Sequence, residues 1–260
     1  MAVDYYGYRK KFALLVPSTN TAVEVEYNMM RPEGVVLATR GCVIPPFKVT
    51  NEAEFVAMVE AIGAATEQGL RDALTCKPDH VIFGYSAETF WDGKERSDRE
   101  FKRYNDIANE VGNCNVTFGA QAILDALSCY PTVRKIGVVT PYMPVGDNMV
   151  VKFLADIGYE VVTIKGHNSP GPVEIAHESF AKTRALVAQV DSEEVDLILQ
   201  AGSNLYFVEL AAKLEQELGK PVLAINALTF WHALRSNGIN DRIHGFGSLL
   251  SEHIEIPSKA

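Results

Sequence analysis

Two stretches of the chain carry the same residue types at the same spacing, and both end in residues able to handle an anion. Asp79 to Phe90 reads DHVIFGYSAETF and Asp196 to Phe207 reads DLILQAGSNLYF. In each, an aspartate leads an apolar run, with serine seven residues on (Ser86, Ser203) and phenylalanine eleven residues on. An apolar run opening into small polar residues is the pattern of a buried parallel strand that delivers a loop. Two further loops have the same form: Pro17-Ser18-Thr19-Asn20 after Phe12 to Val16, and Thr140-Pro141-Tyr142 after Ile136 to Val139. Ligands of open parallel sheets bind beyond the carboxyl ends of the strands. The four loops, Pro17 to Asn20, Tyr85 to Thr89, Thr140 to Tyr142 and Gly202 to Asn204, therefore converge on one small ligand. Their hydroxyls, amides and helix N-termini suit carboxylate oxygens.

The elements that position these loops alternate between strand and helix. Thr21 and Glu24 form a T-x-x-E capping box after the first strand, Val35 to Ile44 reads as a strand, and Asn51 to Thr75 as a helix with Phe55, Val59, Ile62, Leu70 and Leu74 on one side. Ser97 and Glu100 form a second capping box ahead of Phe101, Tyr104, Ile107 and Val111. The second half repeats the order, with a helix around Val150 to Ile157, a strand from Tyr159 to Ile164, a helix from about Val173 to Val190, and a strand at Pro221 to Ile225 before a helix that Asn226 is placed to cap. Such alternation predicts an α/β fold with parallel sheets and right-handed crossovers. The duplication predicts two lobes with the active site in the cleft between them. No low-complexity linker separates the two.

Composition narrows the function. With 260 residues, 47% apolar and 22% charged, the chain can bury a sizeable core, and its formal charge of −9 argues against nucleic acid or an anionic membrane as partner. The start, Met1-Ala2-Val3-Asp4-Tyr5-Tyr6, has no signal-peptide character, and no apolar run approaches the roughly 20 residues of a membrane span, so a cytoplasmic location is expected. Cys42, Cys76, Cys114 and Cys129 and the six histidines show no metal-ligand spacing. Neither G-x-G-x-x-G nor G-x-x-x-x-G-K-[ST] occurs, so no nucleotide cofactor is expected.

Several segments together resemble the aspartate/glutamate racemase superfamily, in its maleate cis-trans isomerase and arylmalonate decarboxylase branch. They are Pro17-Ser18-Thr19-Asn20-Thr21 with Glu24, Thr140-Pro141-Tyr142, Ser203-Asn204-Leu205, Leu218-Gly219-Lys220-Pro221-Val222, and Asn226 to Arg235. The resemblance implies two Rossmann-like lobes related by a pseudo-twofold, assigned here as residues 1–118 plus 227–260 and residues 119–226. It further implies cofactor-free chemistry at a carbon beside a carboxylate, driven by cysteines on the duplicated loop. The partner expected is a small carboxylate substrate, and a homo-oligomer is compatible with it.

This chain departs from the pattern at those cysteines. The family's Cys-Thr-Ser-Gly-Ser-Phe lines up with Tyr85 to Phe90 and its Cys-Thr-Asn-Leu with Gly202 to Leu205, so both thiols are replaced. What remains is a cradle of Asn20, Ser18, Ser86, Gly202, Ser203, Asn204 and Tyr142. Asn168 is carried over from the resemblance in a poor register, where Pro172 competes for the matching position. Tyr85 stands at the first thiol position as a proton donor, and Glu88 is the carboxylate for activating water or taking a proton. Plainer roles compete: Asn20, Ser86 and Ser203 as helix caps, Tyr85 as pocket wall, Glu88 as a solvated loop residue, and Phe90 with Trp91 as core. The expectation is an isomerase or decarboxylase without thiol catalysis. Its rivals are a hydrolase or other lyase in which Gly202 makes room for water, and a non-catalytic carboxylate-binding protein.

Overall fold

The computed structural model describes residues 4–257. Residues 1–3 of the N-terminal stretch considered above, and residues 258–260 at the end of the first assigned lobe, lie outside the described residues. Two four-stranded parallel sheets organise the chain. The first contains β1 (Lys10–Pro17), β2 (Val35–Cys42), β3 (His80–Phe83) and β4 (Asn115–Thr117) in the order β2-β1-β3-β4. The second contains β5 (Lys135–Thr140), β6 (Glu160–Gly166), β7 (Leu197–Gln200) and β8 (Val222–Ala224) in the order β6-β5-β7-β8. The duplication seen in sequence is thus a duplication of topology.

Between the strands run α1 (Ala22–Met30), α2 (Glu52–Leu74), α3 (Ala87–Phe90), α4 (Lys94–Gly112), α5 (Gly119–Ser128), α6 (Pro144–Asp156), α7 (Phe180–Val190), α8 (Val208–Leu218), α9 (Ile225–Ser236) and α10 (Ser248–Ser251). In each sheet the chain leaves the first strand toward one edge and returns to pair on its other side, which opens a crevice at the strand ends. Register completes the placement. Leu15 pairs with Phe83 and Val139 with Gln200. Gly84 N–H then donates to Leu15 O (2.7 Å) and Ala201 N–H to Val139 O (3.0 Å), so the two duplicated loops leave their sheets at equivalent points.

Local expectations hold in outline and shift at the caps. Thr21 makes no side-chain cap; Asn20 accepts from the N–H groups of Ala22 and Val23 instead, both at 3.1 Å. α4 begins at Lys94, so Ser97 lies inside the helix rather than at its start. The helix expected from Val173 to Val190 is broken into a 3-10 turn at Glu174–His177 and α7, because Ser179 accepts from Lys182 N–H and starts the helix afresh. Asn226 is the second residue of α9 and does not cap it. α9 is buried from Ile225 to Arg235 and packs on α1, α5, β3 and β4, as a helix apolar nearly all round must. A buried polar chain from His80 through Thr117 and His232 to Asp125 ties it there (2.8, 2.9 and 3.1 Å).

The lobes are joined by an exchange of helix caps. Asn204 Oδ1, from the second lobe's loop, accepts from Thr21 and Ala22 N–H (2.9 and 3.1 Å) at the start of α1. In return Glu26 of α1 accepts from Phe207 and Val208 N–H (2.8 and 2.9 Å) at the start of α8. Its other oxygen accepts from Asn226 Nδ2 (2.6 Å), which also donates to Ser203 O (2.8 Å). Burial pushes the Glu26 carboxyl up to about 7. A raised acid contributes stability that is complete below its ordinary value of 4.5 and is lost as pH rises through about 7. Glu26→Ala should lower unfolding free energy by about 2–4 kcal/mol in denaturant titrations, because three buried donors lose their acceptor. Glu26→Gln should flatten the decline in stability between pH 4.5 and 7.

Candidate active site

The strand ends of the two sheets meet at a cleft walled by Asn20, Tyr85, Ser86 and Glu88 from the first lobe and by Tyr142, Gly202, Ser203 and Asn204 from the second. Met58 and Ile62 of α2 form an apolar side, and Pro172 and Ile175, in the segment between β6 and α7, form a further wall. The cavity measures about 50 Å³. That is well short of the roughly 150 Å³ cavity that admits benzene in another protein, so the walls must give to seat a ligand of that size.

The segment that carries Pro172 and Ile175 is anchored at both flanks. Pro170 O accepts from Val49 N–H (2.6 Å), and Ser169 Oγ donates to Glu178 Oε1 (2.8 Å). His167 packs beside Glu178, at 3.3 Å, and burial lowers its pKa.

The polar groups of the cleft form one network across the lobes. Asn20 Nδ2 donates to Ser203 Oγ (3.2 Å), which donates to Gly84 O (3.1 Å). Ser203 N–H donates to Ser86 Oγ (3.2 Å), and the Ser86 and Tyr142 hydroxyls are hydrogen-bonded to each other at 2.8 Å. Burial raises the Tyr142 phenol well above its ordinary value, so it stays protonated. Thr140 Oγ1 accepts from Tyr142 N–H (3.0 Å) and donates to the buried Asp147, which fixes the Tyr142 loop. Gln200 Nε2 donates to Gly202 O (2.8 Å) and holds the opposite loop. Every donor here is neutral; none of the lining residues is lysine or arginine. An anion in this cleft is held by preorganised dipoles rather than by an opposite charge.

Asn20, Ser86, Tyr142 and Ser203 are brought together as the sequence suggested; other candidates are not. Ser18 turns from the cleft, its Oγ accepting from Ile44 N–H (3.1 Å) and donating to Ile44 O (3.3 Å). Asn168 is exposed, with its amide on Gly166 O (3.3 Å), and Pro172 sits in the cleft in its stead. Asn204 lines the cleft, but its side chain is spent on the α1 cap and on Pro172 O (2.7 Å).

The two thiol positions also differ from expectation. Tyr85 lines the cleft, yet its hydroxyl donates to Thr66 Oγ1 (2.9 Å) inside the first lobe, and burial raises its pKa further. Gly202 does not open space for water. Its φ is +121°, and a Cβ there would lie 2.2 Å from Pro141 Cδ, so the Pro141 ring already fills the place of a side chain. Among the described residues no cysteine lines the cleft; burial pushes Cys42 and Cys129 up to about 12 and Cys114 to about 11.

Glu88 is the group whose state the sequence did not reveal. It is the second residue of α3, and both carboxyl oxygens are closed to solvent without a hydrogen-bond partner. Burial pushes its pKa up to about 8, so at neutral pH it is mostly an uncharged acid. Phe90 packs on Phe153 and Trp91 near Phe55, both in the core reading. Sequence reasoning missed the parts played by Pro141, Ile175 and Glu26, whereas Pro172 had been named as the competitor of Asn168. Pro141 lay inside a segment already singled out; Glu26 carried no local signal.

Comparison with known proteins agrees with this architecture. The family model described as arylmalonate decarboxylase matches residues 12–250. Maleate isomerase of Pseudomonas putida (strain KT2440) is 29% identical over 137 residues, which span 52% of this chain and 54% of that protein, about half of each. Maleate isomerase of Geobacillus stearothermophilus is 23% identical over 250 residues, 93% of this chain and 97% of that protein. A solved structure of Nocardia farcinica maleate cis-trans isomerase, a cysteine-to-serine mutant with a covalently bound succinylcysteine intermediate, superposes with a TM-score of 0.84 at 20% identity. That match covers 94% of this chain and 98% of that one. The likeness in structure shows a shared fold.

The Pro141 contact generates a test of the second loop. Gly202→Ala should destabilise the protein by about 2–4 kcal/mol in thermal or chemical unfolding, since it combines a left-handed φ with overpacking. A neutral effect would mean that the loop relaxes away from Pro141.

Proposed function

We propose that this chain, which belongs to the arylmalonate decarboxylase family, is a decarboxylase that protonates the carbon beside a substrate carboxylate with Glu88 in place of a thiol. The observation that carries this reading is the Glu88 carboxyl, closed to solvent without a hydrogen-bond partner in the wall of a cleft that holds no other charged side chain; burial pushes its pKa up to about 8. A group poised near the working pH is suited to general acid catalysis.

In this reading a malonate-type substrate places one carboxylate against Asn20 Nδ2, Ser86, Tyr142 and Ser203, whose mutual hydrogen bonds it exchanges for its own. The second carboxylate faces Met58, Ile62 and Ile175, where nothing compensates its desolvation. The carbon–carbon bond to that group breaks, CO2 leaves, and the electron pair stays on the carbon as an enediolate stabilised by the same donors. Glu88 then gives its proton to the carbon.

Cis–trans isomerisation asks for something else. Rotation about an alkene requires a nucleophile that adds and leaves, as the succinylcysteine of the Nocardia farcinica enzyme illustrates. The cleft here holds no thiol, and its serine hydroxyls are engaged in the donor network. Decarboxylation needs only an oxyanion site and an acid, and the cleft has both.

With phenylmalonate as the probe, Glu88→Gln should lower turnover by roughly 10²–10⁴-fold, the usual contribution of a positioned general acid. Tyr85→Phe should stay within about tenfold, since that hydroxyl is committed to Thr66. The acid form of Glu88 is the active one, so turnover should hold below its pKa and decline as pH rises past about 8. Product formed in D2O should carry one deuterium on carbon, and water labelled with ¹⁸O should leave no new carbon–oxygen bond. Full activity of Glu88→Gln, or inactivation by alkylation of a cysteine, overturns the reading.

A further inference from the structure

Glu88 walls two cavities. Besides the cleft, it borders an open groove of about 400 Å³ between α2 and α4, on the side of the first lobe away from Ser203. Tyr85 is the other residue common to both, and its hydroxyl bond to Thr66 runs from the partition to the groove floor. The barrier between cleft and groove is therefore one side chain thick. The groove walls are polar and carry both signs: Arg103 pairs with Glu67 (2.8 Å) and Glu100 (3.4 Å), and Glu60 and Arg96 line the groove as well. Such a surface holds water without selecting an anion or a cation.

Decarboxylation consumes one solvent proton per turnover. The groove reaches Glu88 from a side that a substrate seated among Asn20, Ser86, Tyr142 and Ser203 leaves clear, since only Tyr85 and Glu88 border both cavities. We propose that the groove between α2 and α4 is the rear water entry through which Glu88 is reprotonated, separate from the path taken by substrate and product. The proposal rests on the reading of Glu88 as the acid. After Glu88 has given its proton to carbon, its carboxylate takes one from groove water, and the hydroxide left behind is neutralised by bulk buffer. The carboxyl reaches the groove by rotation about its own side-chain torsions, which no hydrogen bond restrains.

Gly63 and Ala64 lie on the exposed α2 edge of the groove, and a side chain built at Gly63 meets nothing within 4 Å. Gly63→Trp and Ala64→Trp should each plug the groove without touching the cleft, and melting curves check that both fold. With phenylmalonate, the first turnover, which uses the proton already on Glu88, should proceed at the wild-type rate. Steady-state turnover should fall at least tenfold. Independently of turnover, a water-soluble carbodiimide should label Glu88 in the unmodified protein and label it at least tenfold more slowly in the plugged variants, read by peptide mass spectrometry. Equal labelling in all three proteins, or a steady-state rate that the plugs leave unchanged, overturns the route. If Glu88→Gln keeps full activity, the catalytic reading of Glu88 falls; if that variant is impaired while both plugs are silent, only the groove route falls.

Discussion

A carboxylate buried where the two lobes meet governs the rest of the molecule. Glu26 accepts the first N–H groups of α8 and, through Asn226, reaches the carbonyl of Ser203. Helix starts leave donors that must find acceptors. Here each lobe supplies the acceptor for the other, with Asn204 serving α1 in the same way. The loops that wall the cleft are consequently the loops that join the lobes. Any motion that widens the cleft by separating the lobes strains these caps, whereas movement of the segment that carries Pro172 and Ile175 leaves the Glu26 bonds intact.

That seam lets the cleft dispense with formal charge. Held at fixed spacing, the Asn20 amide, the Ser86, Ser203 and Tyr142 hydroxyls and the Ser203 N–H act as a preorganised set whose dipoles need little reorganisation to meet an anion. A lysine or arginine in the same space would bind a carboxylate more strongly. It would also pull the Glu88 pKa down. The neutral donors and the raised carboxyl are thus parts of one electrostatic arrangement. Burial in a cleft without cations produces both.

The loss of the thiols is a change in how the same scaffold is filled. At the second position the Pro141 ring occupies the volume a side chain would take, and the left-handed backbone at Gly202 accommodates it. At the first position a bulky Tyr85 turns away and closes its hydroxyl on Thr66. In the proposed mechanism the acid lies three residues along the loop, at Glu88. Because α3 begins at Ala87, this residue still projects from the same strand end.

Much of the fold is legible in the chain itself. Strands buried on both faces must be almost wholly apolar, so VIF and LIL announced β3 and β7, and the repeated spacing announced equivalent loops. Asn20, Ser86, Tyr142 and Ser203 followed because strand ends in equivalent lobes point the same way. Caps were less legible: Thr21, Ser97 and Asn226 all satisfy a local pattern, yet none of them caps, and at α1 the acceptors are the adjacent Asn20 and Asn204, 182 residues from Ala22. The same limit hid the direction of the Tyr85 hydroxyl, the Pro141 plug, the outward turn of Ser18 and Asn168, and the state of Glu88. Residue type and periodicity are local properties and survive in one dimension. Side-chain direction, and the pKa of a carboxyl, depend on what packs against it from elsewhere in the chain, and only the closed tertiary structure determines that.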